Sequence, residues 1–181
     1  ALKLYAARNN TITQNNITSS GSSDYNIGIS LESSANNSIT DNILRTNGSQ
    51  YNYGAYVYDS NENLIANNNI TSNGSGNYNH GIEMYVNSAK NVITNNTISS
   101  NSLATYSSSR GIDMRLYVQN NTIANNTIAF PYSSYGIYLE SRVDNNTFDH
   151  NTISGAGTGI YLNYQMFWNR FTNNNISVNA T

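Results

Sequence analysis

The chain has 181 residues, of which 36 are Asn, 24 Ser and 16 Thr; only 10% are charged, net charge is −2 and Cys is absent. With eight Lys and Arg against ten Asp and Glu there is no basic excess to neutralise phosphates, so no nucleic-acid partner is expected; no apolar run nears the ~18 residues of a membrane span. A disulfide framework, a thiolate metal site and a Cys nucleophile are excluded as well.

So polar a composition suggests disorder. Yet 18 Ile and 15 Tyr are too many for that, and they recur in order. A first phrase begins at Ala1 (Ala1-Leu2-Lys3-Leu4) and returns as Gly28-Ile29-Ser30-Leu31, Gly54-Ala55-Tyr56-Val57, Gly81-Ile82-Glu83-Met84, Gly111-Ile112-Asp113-Met114, Gly136-Ile137-Tyr138-Leu139 and Gly159-Ile160-Tyr161-Leu162. Each copy is followed by a second phrase, Asn-x-(Ile/Phe)-x-x-Asn-x-(Ile/Leu). Its first Asn is Asn10, Asn37, Asn63, Asn91, Asn121, Asn146 or Asn169; its second is Asn15, Asn42, Asn68, Asn96, Asn126, Asn151 or Asn174.

Each copy carries two short strands with period-two alternation and cannot bury its apolar face alone. Stacked copies can. No 3.6-residue stripe supports a helical repeat. The expected fold is therefore all-β: a single domain over 1–181, forming a single-stranded right-handed parallel β-helix of about seven coils that start near 1, 28, 54, 81, 111, 136 and 159. At about 4.8 Å per coil the rod is roughly 30–35 Å long. The two Asn series become inward ladders that hydrogen-bond from coil to coil, placed where a turn demands left-handed backbone. The repeated Gly gives a sharp turn into the first strand.

These residues resemble the right-handed parallel β-helix repeat of the pectate-lyase-like superfamily, in its short-repeat branch of NosD-like and carbohydrate-binding and sugar-hydrolase proteins. The resemblance implies the fold across the whole chain. It leaves function open among lyases, hydrolases, epimerases, adhesins and passive surface proteins. It also implies that the first strand's outward face carries any active site.

That face presents two rows: Lys3, Ser30, Tyr56, Glu83, Asp113, Tyr138, Tyr161, and Tyr5, Glu32, Tyr58, Tyr85, Arg115, Glu140, Asn163. Tyr56, Tyr58, Tyr85, Tyr138 and Tyr161 form a candidate carbohydrate or interface face, since Tyr stacks on sugar rings; Tyr is also simply a good strand former. Glu83 and Asp113 are the weak catalytic candidates, two carboxylates in adjacent coils about 5 Å apart, a retaining-glycosidase separation. Arg115 and Glu140 are expected to form a cross-strand ion pair. His80 falls in a loop far from His150, and Asp149-His150 reads as a surface turn.

No cofactor is expected, with Ca²⁺ as the remaining alternative. Asp59-Ser60-Asn61-Glu62-Asn63 begins like a Ca²⁺ loop but lacks the following Gly and distal Glu, and copper would lack ligands. Twelve Asn-x-Ser/Thr sequons stand at Asn9, Asn16, Asn36, Asn47, Asn69, Asn73, Asn95, Asn120, Asn125, Asn145, Asn175 and Asn179, none of them a ladder residue. Variable Ser-, Gly-, Asn- and Tyr-rich loops follow each second phrase. The start at Ala1 reads as a removed signal or an excised segment, and neither end shows a cap. The leading expectation is an extracellular structural or adhesive solenoid: a cell-surface or filament-forming subunit, N-glycosylated, self-associating end to end or against neighbouring β-helix domains. The alternative is a carbohydrate-binding or carbohydrate-active module with glycans as partners.

Overall fold

A computed structural model describes residues 1–102, 108–130 and 134–179. Three parallel sheets of seven strands each run along one axis. The first sheet takes the long strands, such as Tyr53–Tyr58, His80–Tyr85, Arg110–Arg115 and Tyr135–Glu140. The second takes three-residue strands such as Val92–Thr94, and the third takes strands such as Asn69–Gly74 and Thr97–Ser102. Neighbouring strands come from successive coils, in the register of the repeat: Ile82 faces Ile112 and Glu83 faces Asp113.

The core is a set of one-per-coil columns. Ile29, Ala55, Ile82, Ile112 and Ile137 make one; Ile39, Ile65, Ile93, Ile123 and Phe148 another; Leu44, Ile70, Ile98, Ile128 and Ile153 a third. Each buried aliphatic side chain contributes about 1.5–3 kcal/mol over its exposed state, and one residue inserted in a strand would turn its column outward.

Both expected ladders exist. Asn96 shows the unit. Its backbone N–H and side-chain Nδ2 both donate to Asn126 Oδ1 at 3.0 Å, and Nδ2 also donates to the Ile65 and Thr94 carbonyls. Its own Oδ1 accepts both donors of Asn68. The left-handed backbone sits elsewhere than expected: it belongs to the residue before each ladder Asn, as at Asn36, Glu62, Lys90 and Asn120 before the first series and Asn67, Asn95, Asn125 and His150 before the second. The corner residue turns the chain so that the next side chain points inward.

Two further expectations change. Each coil has three strands rather than two. The third was hidden because its inward row passes from Ile70 to Ser72 and from Ile98 to Ser100, which ends the apolar alternation. It extends into segments read as loops; of these, 103–107 and 131–133 lie outside the described residues. The repeated Gly is no turn residue, since no Gly has positive φ. It lies within the first strand, where a Cβ at Gly81 would stand 2.2 Å from Ile98 Cγ2 and 2.6 Å from the Gly111 carbonyl oxygen. Only Gly lets coil and neighbouring sheet approach that closely.

Candidate functional site

The glycine also breaks the strand's alternation. Tyr53 and His80 pair in register, as do His80 and Arg110, and Arg110 and Tyr135, while the glycines after them stay out of the pairing. The residue before each Gly therefore joins the outward face. This adds a third row, Tyr53, His80, Arg110, Tyr135, to the two read from sequence.

Across coils three to six these rows form a charged cluster. Asp113 Oδ2 accepts from Arg110 Nη1 and lies 3.0 Å from Arg115 Nη2. Arg115 Nη2 also donates to Glu83 Oε1 at 2.7 Å, bridging the two carboxylates. His80 Nδ1 accepts the Arg110 backbone N–H at 3.1 Å, so its proton sits on Nε2, 3.2 Å from Asp113 Oδ2 but off the line of a hydrogen bond. The Arg110 guanidinium lies over the Tyr138 ring at 3.5 Å, a cation–π contact. Arg115 thus pairs with Glu83 and Asp113, and the expected ion pair with Glu140 is replaced. Nor is His80 a loop residue: it opens a strand and is fully buried.

Burial sets the electrostatics. Glu83 is pushed up to about 7, first by desolvation and then by the Asp113 charge, against the pull of Arg115 and Tyr53. Desolvation also raises Asp113, offset in part by Arg110 and Arg115. His80 is held well below its usual range by burial and by the two guanidinium groups, and is neutral at physiological pH. Tyr53 is raised by burial and by Glu83; although its hydroxyl approaches that carboxyl, no aligned hydrogen bond reaches Oε2.

The cluster is left incomplete. Among the described residues seven buried side-chain polar atoms lack a hydrogen-bond partner, and five belong here: His80 Nε2, Glu83 Oε2, Arg110 Nε, Asp113 Oδ1 and Arg115 Nε. Unpaired buried polar atoms are rare and concentrate where a structure is built to do something else.

A groove of about 310 Å³ opens beside the cluster, lined by Tyr25, Ile27, Tyr51, Tyr53, Tyr56, Glu83, Tyr85 and Arg115. Its outer wall is an aromatic column, Tyr25, Tyr51 and Tyr78, stacked at 4.7 and 5.0 Å. Tyr56, Glu83 and Tyr85 follow from the strand alternation, but this column does not, because it stands in the loops before the first strand. Tyr138 and Tyr161 stack at 5.4 Å on the far side of the cluster. Asp113, fully buried, does not reach the groove, whereas Glu83 lines it. The two carboxylates thus come together on Arg115, but of the two only Glu83 lines the groove. A second depression, on the third sheet along Asn47, Gly48, Asn73, Gly74, Ser75, Asn101 and Ser102, contains no titratable group.

Elsewhere, Asp149 and His150 form an exposed pair at 2.8 Å. Asp59 lies at a corner of positive φ, and no group of three His, Cys, Asp or Glu able to hold a metal occurs among the described residues. Eleven of the twelve sequon asparagines are exposed and Asn73 is half-buried.

The family described as the right-handed beta helix region matches residues 1–98 and 75–181. The chain belongs to that family. Among curated proteins no match is found. Of solved structures, this β-helix is similar to the A-module of the mannuronan C-5 epimerase AlgE6 of Azotobacter vinelandii, at 15% identity and a TM-score of 0.55, covering 99% of this chain and 55% of that one. The AlgE4 A-module of the same organism aligns at 14% identity and a TM-score of 0.28, over 94% of this chain and 59% of that one. The chain thus spans little more than half the length of these modules, and its likeness to the AlgE6 module is one of fold.

Proposed function

We propose that this β-helix is a carbohydrate-binding, carbohydrate-active module whose groove on the first sheet holds a saccharide. The observation that carries the reading is the groove itself: five tyrosines closing on a buried, incompletely satisfied Glu83–Arg115 pair. Tyr faces bury the C–H surface of a sugar ring. Pockets of this size with a few convergent polar groups and a perturbed acid are typical ligand sites. Glu83 is the group suited to take or give a proton near neutral pH. Asp113, His80 and Arg110 hold Arg115 and Glu83 in place from below. A fold neighbour that acts on a polysaccharide, mannuronan, supports a saccharide ligand without fixing its charge. A glycan array and a polysaccharide-conversion screen test the reading. Tyr56→Ala and Tyr85→Ala should each weaken binding at least tenfold, and Glu83→Gln should abolish conversion while leaving the fold intact. Unchanged binding in both Tyr variants would overturn it.

The extracellular, self-stacking reading is a second proposal. It is favoured by the exposed apolar surface of the last coil, where Leu162, Phe167, Trp168 and Ile176 are open to solvent, and by the exposed sequons. Attached hexose mass on the native protein, together with end-to-end particles in negative stain, would support it; bare mass and discrete monomers at high concentration would sink it.

A further inference from the structure

We infer that the groove selects a neutral, hydroxyl-bearing saccharide over a uronic-acid polymer. The inference rests on the saccharide reading above and narrows it.

The first ground is charge. Arg110 is engaged by Asp113, and Arg115 by Glu83 and Asp113. Two positive and two negative groups cancel, and His80 is neutral. At the margins Lys3 is held by Glu32, and Glu140 adds a negative charge beside Asn163. The groove thus offers no uncommitted cation to a sugar carboxylate. To bind one, Arg115 would have to leave Glu83, stranding a buried carboxylate.

The second ground is the pattern of unpaired atoms. Glu83 Oε2 is an acceptor without a donor, and Arg115 Nε a donor without an acceptor. A hydroxyl is both donor and acceptor and suits a lining that offers both; a carboxylate only accepts, and would face Glu83 unfavourably. The tyrosine walls add stacking area and hydroxyls but no charge.

The test is titration calorimetry of the full chain at pH 8, where Glu83 is ionised, at low salt. The ligands are a panel of neutral oligosaccharides (gluco-, manno- and galacto-) and oligomers of mannuronate and galacturonate. At least one neutral series should bind, with every uronate at least tenfold weaker. Glu83→Gln should weaken the neutral ligand and strengthen the uronate, because Arg115 is released; a melting curve confirms that the variant folds. Tyr85→Ala, a half-exposed change, should weaken neutral binding without altering the preference. Uronate binding as tight as or tighter than neutral binding in the wild type overturns the inference and leaves the saccharide reading standing. Absence of binding across the whole panel overturns both.

Discussion

The amide ladders and the first-sheet cluster are two stacks of buried polar groups in one solenoid, and they are completed in opposite ways. In the ladders every coil repeats one neutral residue, and each amide meets its neighbour, a backbone N–H and one or more carbonyls. In the cluster every coil differs: Tyr53 and Tyr56, then His80 and Glu83, then Arg110 and Asp113, then Tyr135 and Tyr138. Five buried atoms there stay unpaired. A satisfied network rigidifies, while a partly satisfied one in low dielectric carries a standing free-energy cost. A repeat protein can tile a neutral ladder without limit. Among the described residues, buried ionisable groups of this kind are confined to the two coils that carry Glu83 and Asp113.

The sharpest way to break this contrast is to remove the bridging cation. Arg115→Met leaves Glu83 and Asp113 as buried carboxylates facing each other, and should lower stability at pH 8 by about 3–5 kcal/mol. Urea unfolding checks it. The loss should shrink at pH 5, where Glu83 takes up a proton. Equal losses at both pH values would mean that the pair does not share its charge through Arg115.

Next comes the ladder. Asn96→Ala strands the Asn68 donors and the Ile65 carbonyl, and should cost roughly 1–3 kcal/mol. Asn10→Ala, in the exposed first coil, should cost clearly less. Equal melting temperatures for wild type and Asn96→Ala would contradict the inward placement.

The ladders were legible because identical residues at fixed spacing announce a shared environment, and the Ile columns were legible because alternation in the second phrase is strict. The site was half legible. Glu83, Asp113 and the outward tyrosines followed from alternation in the first strand. Tyr53, His80 and Arg110 did not, because alternation places the residue before Gly among loop or inward positions, and only the kink at Gly reverses it. A sequence signal was nonetheless present: Asn26, Asn52 and Asn79 stand two residues before each Gly and form a third amide ladder at 3.0 and 2.6 Å. Ser109 and Ser134 continue the series in sequence. That pattern marks the intervening position as part of the sheet. The partner of Arg115 was not legible, since a long guanidinium selects among carboxylates by geometry that strand register does not fix.

A smaller effect tests the burial of Glu83. Its folded value is raised from 4.5 to about 7, so the folded state holds this proton more tightly than the unfolded chain. The stability it contributes is present below pH 4.5 and is lost as pH rises through about 7. Glu83→Gln cannot lose that proton. The variant should therefore gain on the wild type steadily between pH 4.5 and 7 and keep the gain above. A constant difference across that window would place Glu83 in solvent.

The smallest effect belongs to the exposed carboxylate. Asp149 accepts from Thr172 and Asn173 and lies against His150, and it is held down to about 2, chiefly by Thr172 and then by His150. Its sign is opposite to that of Glu83: the contribution is present above 3.8 and is lost as pH falls through about 2. Being exposed, it is screened by solvent and salt. Asp149→Asn should therefore melt with the wild type from pH 5 to 8, within the error of a scan, and differ only in acid. If this change moved the melting temperature near neutrality as much as Glu83→Gln does, exposure would no longer separate the two kinds of carboxylate. Burial would then no longer mark the functional coils.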